Sequence, residues 1–286
     1  KINLFLHVVG RRDDGYHLID SAIAFAGVGD LLSVSPGDDL TLEISGPFAE
    51  KLIGDREDNL VLHAARDLRD AAAVAGGAKL FLEKRLPVAS GIGGGSADAA
   101  AALRLLACLW NVPEEAATGL AVGLGADVPV CLRSAPAHVG GIGDSIDPLG
   151  PLPACGVVLA NAGEGVSTPA VFAARSGGFS DPVAWRPSSS FSDLIELLRG
   201  TRNDLAEAAR SVSPAIGNVI AALEKTHGCG IARLSGSGGT CFALYETGAA
   251  AAAAAEGLAA AHPAWWVQAT RFLKTAPAIR EMHPPV

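Results

Sequence analysis

The sequence predicts an α+β protein of two domains. Three observations carry that expectation. Segments of strand period alternate with segments of helical period along the chain. A strand at residues 78–84 runs into a glycine loop and then into a helix rich in Ala and Leu. At mid-chain the run Gly150-Pro151-Leu152-Pro153 breaks the pattern and nothing periodic crosses it. The expected domains are therefore residues 1–150 and 151–286.

Composition fits such a protein. With 286 residues, 49 % hydrophobic and 18 % charged, the chain has the makings of a sizeable core and none of a disordered segment. A net charge of −8 argues against a nucleic-acid partner or an anionic membrane surface. No apolar run reaches the roughly 20 residues of a membrane span without Gly, Pro or charge, and no signal-peptide pattern occurs. The five Cys are odd in number and form no C-x-x-C, as expected of reduced, mostly buried thiols in a cytoplasmic protein. The chain opens on Lys1 and its single Met is Met282, so residues ahead of Lys1 are expected to be absent from this sequence.

Taken in order, residues 1–9 alternate: Ile2, Leu4, Leu6 and Val8 on one face, Lys1, Asn3, Phe5 and His7 on the other. That is a half-buried strand, with Lys1 and Asn3 pointing off the core into solvent or into a site. A charged turn at 10–15 leads to Tyr16 and His17. Strands follow at 31–34 and 40–45, split by Pro36-Gly37. Residues 59–75 have helical spacing with Asn59 as N-cap and His63 as a packed helix residue. The loop's helix covers 96–110. A further helix at 113–123 has Pro113 early and two Glu in its first turn.

Asp127 lies between Ala126 and Val128, so its carboxylate needs a partner, a wet site, or a local role as Asx turn or helix cap. Two short strand pieces at 138–149 close the first half. The second half opens with a strand at 156–160. Ser167-Thr168-Pro169 then starts a short helix that carries Phe172. Residues 177–192, rich in Gly, Ser and Pro, form the best candidate for a mobile insert. Helices at 203–212 and 214–227 lead to a strand at 231–234, a loop at 235–239 and a strand at 241–245. A nearly pure alanine helix at 249–261 and a strand at 265–272 complete the chain.

The residues with the most chemical content run from Pro87 through Val88, Ala89, Ser90, Gly91, Ile92, Gly93, Gly94, Gly95 and Ser96 to Ala97. Four glycines in five positions at a helix start supply left-handed backbone and unpaired N–H groups under a partial positive charge. That combination suits a phosphate. A ligand-free strand-to-helix turn is the plainer alternative, but it would not need four glycines. A Walker loop is excluded because no Lys precedes Ser96. A dinucleotide fingerprint is broken, since Ser96 stands at its third glycine and the acid about 20 positions on would be Glu114 or Glu115, after a helix.

The run from Pro87 to Ala99 resembles the nucleotide loop of the kinase superfamily named after galactokinase, homoserine, mevalonate and phosphomevalonate kinases. Three further blocks are similar to its branch that acts on a cytidine-diphosphate-linked erythritol: KINLFLHVVGRRDDGYH at 1–17, GADVPVCL at 125–132 and LSGSGGTCFALY at 234–245. They occur in the family's order over nearly the whole chain. The resemblance implies an N-terminal domain like domain 2 of ribosomal protein S5, a ferredoxin-like C-terminal domain, and an active site in the cleft between them. It implies transfer of the ATP γ-phosphoryl group to the 2-hydroxyl of the small-molecule substrate, on the non-mevalonate route to isoprenoid precursors, in a monomer or weak homodimer.

Site residues follow from the same resemblance. The loop from Pro87 to Ala97 would hold the ATP phosphates, and Asn59 and Leu60 would meet adenine. Ser96 would also reach Mg²⁺, which otherwise depends on ATP because no second carboxylate is placed for it. Asp127 would take the hydroxyl proton and Lys1 would face developing negative charge. Tyr16, His17 and Phe172 would receive the cytosine base, with Asn3 and Thr168 near the substrate's polar tail. Rival readings are a sibling kinase for homoserine or mevalonate, a catalytically silent ligand sensor, and a Rossmann oxidoreductase. Gly15-Tyr16-His17 speaks against the first, Lys1 with Asp127 against the second, and the broken fingerprint against the third.

Overall fold

The computed structural model describes residues 1–55 and 58–280; Met282 and the rest of 281–286, expected in the second domain, lie outside the described residues. The first half contains β1 (Ile2–Arg11), β2 (His17–Ala24), β3 (Leu31–Gly37), β4 (Leu40–Ser45), a 3-10 turn (Ala49–Asp55), α1 (Leu60–Ala71), β5 (Gly77–Glu83), α2 (Gly94–Trp110), α3 (Glu114–Leu124), α4 (Val128–Arg133), β6 (Ala137–Gly141) and β7 (Ser145–Pro148). Strands β1-β2-β6-β7 form one antiparallel sheet. A second sheet, β3-β5-β4, has β5 antiparallel to β3 and parallel to β4.

The second half contains β8 (Gly156–Asn161), α5 (Thr168–Ala174), α6 (Phe191–Arg199), α7 (Ala206–Val212), α8 (Ala215–Glu224), β9 (Cys229–Leu234), β10 (Thr240–Tyr245), α9 (Gly248–Ala261) and β11 (Trp266–Arg271). Its sheet is antiparallel throughout in the order β11-β8-β10-β9.

Three hydrophobic cores hold these layers. Leu68 of α1 and Leu103 and Leu106 of α2 pack on Leu80 and Leu82 of β5. Val158, Ala160 and Ala243 pack beneath Ile216, Val219 and Leu223 of α8 and Leu258 of α9. The third core joins Ile2, Leu4, Phe5 and Ala22 to Val157, Leu159, Phe242 and Leu244, so it reaches across the Gly150–Pro153 break. Strands β8 and β10 are consequently buried on both faces, and for that reason they read as unbroken apolar runs.

Two expectations fail at β1. Simple alternation put Asn3 on the face of Phe5 and His7. The pairing instead steps from Asn3↔Ile23 to Phe5↔Ala22, leaving Leu4 as the extra residue of a β-bulge. Beyond the bulge the faces exchange, so Phe5 and His7 share the side of Ile2, while Leu6 and Val8 share that of Asn3. Neither face is solvated: Asn3 and His7 are both buried.

The segment 177–192, expected as a mobile insert, covers that back face. The Ser180 N–H donates to the Val8 carbonyl at 2.9 Å and the Val183 N–H to Asp20 Oδ2 at 2.6 Å. Trp185 stacks on Phe5 with centroids 6.0 Å apart. Four elements were not anticipated: the 3-10 turn at Ala49–Asp55, α4, β2 and α6. β2 carries polar residues on a buried strand, which hides its period. α6 was hidden inside a Ser-rich run, although Ser190 and Asp193 form a capping box that announces it.

Candidate active site

The glycine loop is wedged between the two halves. Gly91 and Gly93 have φ of +77° and +64°, a left-handed backbone that glycine adopts without strain. A Cβ on Gly91 would collide with the carbonyl oxygens of Gly238 and Ser235. A Cβ on Gly93 would lie 2.9 Å from Cγ and Cε of Lys1. Gly91 is thus fixed by the second glycine loop at 235–239, and Gly93 by the lysine stem. The loops are joined by Thr240 N–H to Ser90 O at 2.9 Å and by Ser235 Oγ to Gly91 O at 3.3 Å. The Val166 N–H adds a bond to Ala89 O at 3.0 Å, and Ser90 Oγ donates to Pro87 O at 2.6 Å. Val88 and Ile92 complete the turn, with Ile92 buried.

Gly94, Gly95 and Ser96 then open α2, where helical geometry leaves their N–H groups without an intrahelical acceptor; Ala97 makes the first such bond, to Gly93 O. Leu60, the first residue of α1, lies beside this end, 3.7 Å from where a Gly95 Cβ would be. Asn59 caps α1, its side chain accepting from Val61 N–H at 2.9 Å.

Lys1 Nζ sits 3.2 Å from Asp127 Oδ2. Asp127 stands at the N-terminal cap position of α4, but its side chain makes no capping bond and is directed to the lysine instead. The same ammonium donates to Asn3 Oδ1 at 2.7 Å. Asn3 Nδ2 donates to Ser21 Oγ at 2.8 Å, and Ser21 Oγ donates to Phe5 O at 2.6 Å. The chain from carboxylate to strand backbone is therefore continuous. The Lys1 main-chain nitrogen also donates to Ile92 O at 3.0 Å, which holds the pair against the loop.

Thr168 opens α5 with its Oγ1 2.6 Å from Ser237 Oγ of the second loop. Four residues on, Phe172 stacks on His17 with ring centroids 4.9 Å apart and planes 27° off parallel. Burial, Arg11 and Arg175 lower the His17 pKa from its ordinary value. Tyr16 stands apart, 64 % exposed, with its N–H donating to Asp14 Oδ1. Rings as close as His17 and Phe172 leave no room for a base between them, because two stacked pairs in series need roughly 9 Å.

Sequence reasoning passed over two groups. Asn203 Nδ2 donates to Leu234 O at 3.0 Å and Gly236 O at 2.8 Å, and so shapes the second loop from 31 residues away. Under α2, Lys84 Nζ lies between Asp30 and Asp98, 2.8 Å from Asp98 Oδ2. Asp30 Oδ1 also accepts the N–H groups of Arg85 and Leu86. Burial opposes the Lys84 charge, but the two carboxylates outweigh it and raise its pKa. Burial likewise raises the Asp98 pKa against the pull of Lys84. The signal was a lysine two residues before an apolar loop entrance and an Asp among helix alanines.

Comparisons with known proteins place this geometry. Residues 59–135 match the family model described as GHMP kinases N terminal domain, and 188–264 match GHMP kinases C terminal. A 4-diphosphocytidyl-2-C-methyl-D-erythritol kinase of Paramagnetospirillum magneticum is 50 % identical over 277 residues, 96 % of each chain. That of Parvibaculum lavamentivorans is 50 % identical over 275 residues, 94 % of each. A crystal structure of 4-(cytidine 5'-diphospho)-2C-methyl-D-erythritol kinase superposes with a TM-score of 0.76 at 32 % identity, covering 95 % of this chain and 96 % of that one. A homoserine kinase of Cytophaga hutchinsonii shares the fold, with a TM-score of 0.67 at 16 % identity over 96 % of each chain.

Proposed function

The chain belongs to the GHMP kinases, in the branch of the 4-diphosphocytidyl-2-C-methyl-D-erythritol kinases, and from that premise we infer how its residues carry the reaction. It is a kinase of the non-mevalonate isoprenoid route that takes ATP as phosphoryl donor and 4-diphosphocytidyl-2-C-methyl-D-erythritol as acceptor. The order β11-β8-β10-β9 supports the ferredoxin-like reading of residues 151–286, and residues 1–150 are the S5-like, ATP-binding partner. The active site is the groove where the two glycine loops meet. The enzyme works in the cytoplasm as a monomer or weak homodimer; among the described residues no helix is long and apolar enough to cross a membrane.

Phosphoryl transfer needs the donor and acceptor oxygens held in line and the developing charge met by fixed dipoles. The open N–H groups of Gly94, Gly95 and Ser96 point the α2 terminus at the ATP phosphates. Asn59 and Leu60 border the adenine. The acceptor 2-hydroxyl lies at Asp127, which takes its proton as the oxygen attacks. Lys1, held between Asp127 and Asn3, faces the negative charge that builds on the transferred group. Thr168 and Asn3 position the erythritol end, and Tyr16, His17 and Phe172 take the cytosine.

Mg²⁺ suits this donor set as an ion that arrives with ATP. Ser96, in the first turn of α2, would offer its hydroxyl to the ion alongside the phosphate oxygens; among the described residues no cluster of three His, Cys, Asp or Glu able to hold a metal occurs. Bound there, it would neutralise phosphate charge. The observation that carries the reading is the Lys1–Asp127 contact at 3.2 Å against the glycine loop. An ADP-release assay tests it across 4-diphosphocytidyl-2-C-methyl-D-erythritol, homoserine and mevalonate. Turnover with the first alone is expected; turnover with either of the others instead would overturn the substrate assignment.

A further inference from the structure

Two arginines frame the His17–Phe172 stack. Arg11 is the direct cross-strand partner of His17 at the turn end of the β1–β2 hairpin, so their side chains share a face. Arg175 follows Phe172 by three residues, one helical turn on, at the C-terminal cap of α5. The hairpin thus contributes Arg11 and His17 to this spot, and α5 with its cap contributes Phe172 and Arg175, two members from each half of the molecule.

Neither guanidinium pairs with a carboxylate among the described residues. Arg11 donates only through Nε, to Gly15 O at 3.1 Å. Arg175 donates through Nη2 to Gly178 O and rests over the Phe179 ring, 5.6 Å from its centroid. Its Nε is buried with no acceptor. The contrast with the next arginine is direct, since Arg12 is committed to Asp14 at 2.7 Å. In a chain with 30 acidic and 22 basic residues, two guanidiniums left without an acid at one spot are an uncompensated positive site. Both act on the same imidazole, because each contributes to lowering the His17 pKa after burial does.

We propose that Arg11 and Arg175 bind the diphosphate of the nucleoside diphosphate-linked substrate, one guanidinium from each half of the molecule. The inference rests on the reading that the cytosine docks at Tyr16, His17 and Phe172. A guanidinium presents paired N–H donors that match phosphate oxygens; both Nη groups of Arg11 and the Nη1 of Arg175 make no bond to the described residues. A diphosphate bridging them would draw the β1–β2 hairpin and α5 onto the ligand. The erythritol would then extend from the diphosphate toward Lys1 and Asp127, while the base stays at the aromatic end.

Calorimetric titration of the full chain with cytidine and with CDP tests this, run with a non-hydrolysable ATP analogue saturating the glycine loop. The wild type is expected to bind CDP roughly 100-fold more tightly than cytidine. Arg11→Gln and Arg175→Gln should each remove about tenfold of that preference, and the double variant most of it, with cytidine affinity held. Arg11→Lys and Arg175→Lys keep the charge and should restore part of it, which separates phosphate binding from a folding defect. A preference that survives the double variant overturns the proposal, as does a wild type that binds cytidine and CDP equally. A wild type that binds neither overturns the base-docking reading as well.

Discussion

Lys1 and Tyr16 stand at opposite ends of one hairpin and are held in opposite ways. The Lys1 side chain is 7 % exposed, its ammonium is shared by Asp127 and Asn3, and its stem lies under Gly93. Tyr16 is 64 % exposed and its neighbour His17 has only Phe172 as a ring partner. The proposed catalytic end is held by bonds within the protein itself. At the proposed base end the two rings already lie against one another and would have to part to receive a nucleobase. Fixed charge near the transferred group spares reorganisation at the moment of reaction, whereas a nucleobase needs only a surface that forms around it.

The strongest way to break this comparison is at the assembled end. Asp127→Asn should lower kcat roughly 10³- to 10⁴-fold while ATP affinity is kept, read by single-turnover ADP formation beside nucleotide titration. Loss of ATP binding in a folded variant would give Asp127 a different role. Lys84→Met should cost about 3 kcal/mol or more of stability in urea unfolding, since Asp30 and Asp98 would be left buried without their cation.

The pH dependence of that loss sharpens the point. The folded-state pKa of Asp98 is raised above its unfolded value, so its ionisation destabilises the fold at high pH and protonation relieves the strain as pH falls. Without the opposing pull of Lys84 that pKa rises further, so the Lys84→Met deficit should be larger at pH 8 than at pH 6. An equal deficit at both values would show that Lys84 acts through packing.

At the proposed base end the effects are smaller and fall on substrate binding. Phe172→Ala should raise the KM for the cytidine substrate about tenfold and leave that for ATP in place, in steady-state kinetics with each substrate varied. The smallest effect concerns His17. Burial and then the two arginines lower its pKa, so more than half of the imidazole is neutral at pH 6.5, where an unperturbed histidine would be half charged. The substrate KM should change less between pH 7.5 and 6.5 than the titration of an ordinary histidine would make it. A rise centred at or above 6.5 would place His17 in a wetter, less basic-flanked setting.

Much of the fold was legible because its signals are local. The Asn59 cap, the Pro169 helix start and the alanine run of α9 each announce an element within a few residues. β2 escaped because it lies in the middle of a sheet with Ser21 and Asp20 turned to specific partners, so its polar positions do not mark a wet face. The segment 177–192 escaped because Gly, Ser and Pro report only that a stretch is irregular, and Trp185 and Ser180 show their purpose only against β1. At the candidate site, residue types and spacing singled out the glycine loop, while Lys84, Asn203 and the arginine pair depend on neighbours far away in the chain.

By itself the sequence determined that a glycine loop opens a helix and that strands and helices alternate on both sides of Gly150–Pro153, and it left Asp127 a partner, a wet site or a local cap as alternatives. Backbone propensity and hydrophobic period settle such matters over a handful of residues. Only the tertiary structure decided that the partner is Lys1, that Leu4 is bulged, and that Gly91 is glycine because Gly238 lies against it. The contact between Ser235 and Gly91 spans 144 residues. Steric exclusion between two loops so distant leaves no periodic trace in either, because it acts only once both have been brought to the same place.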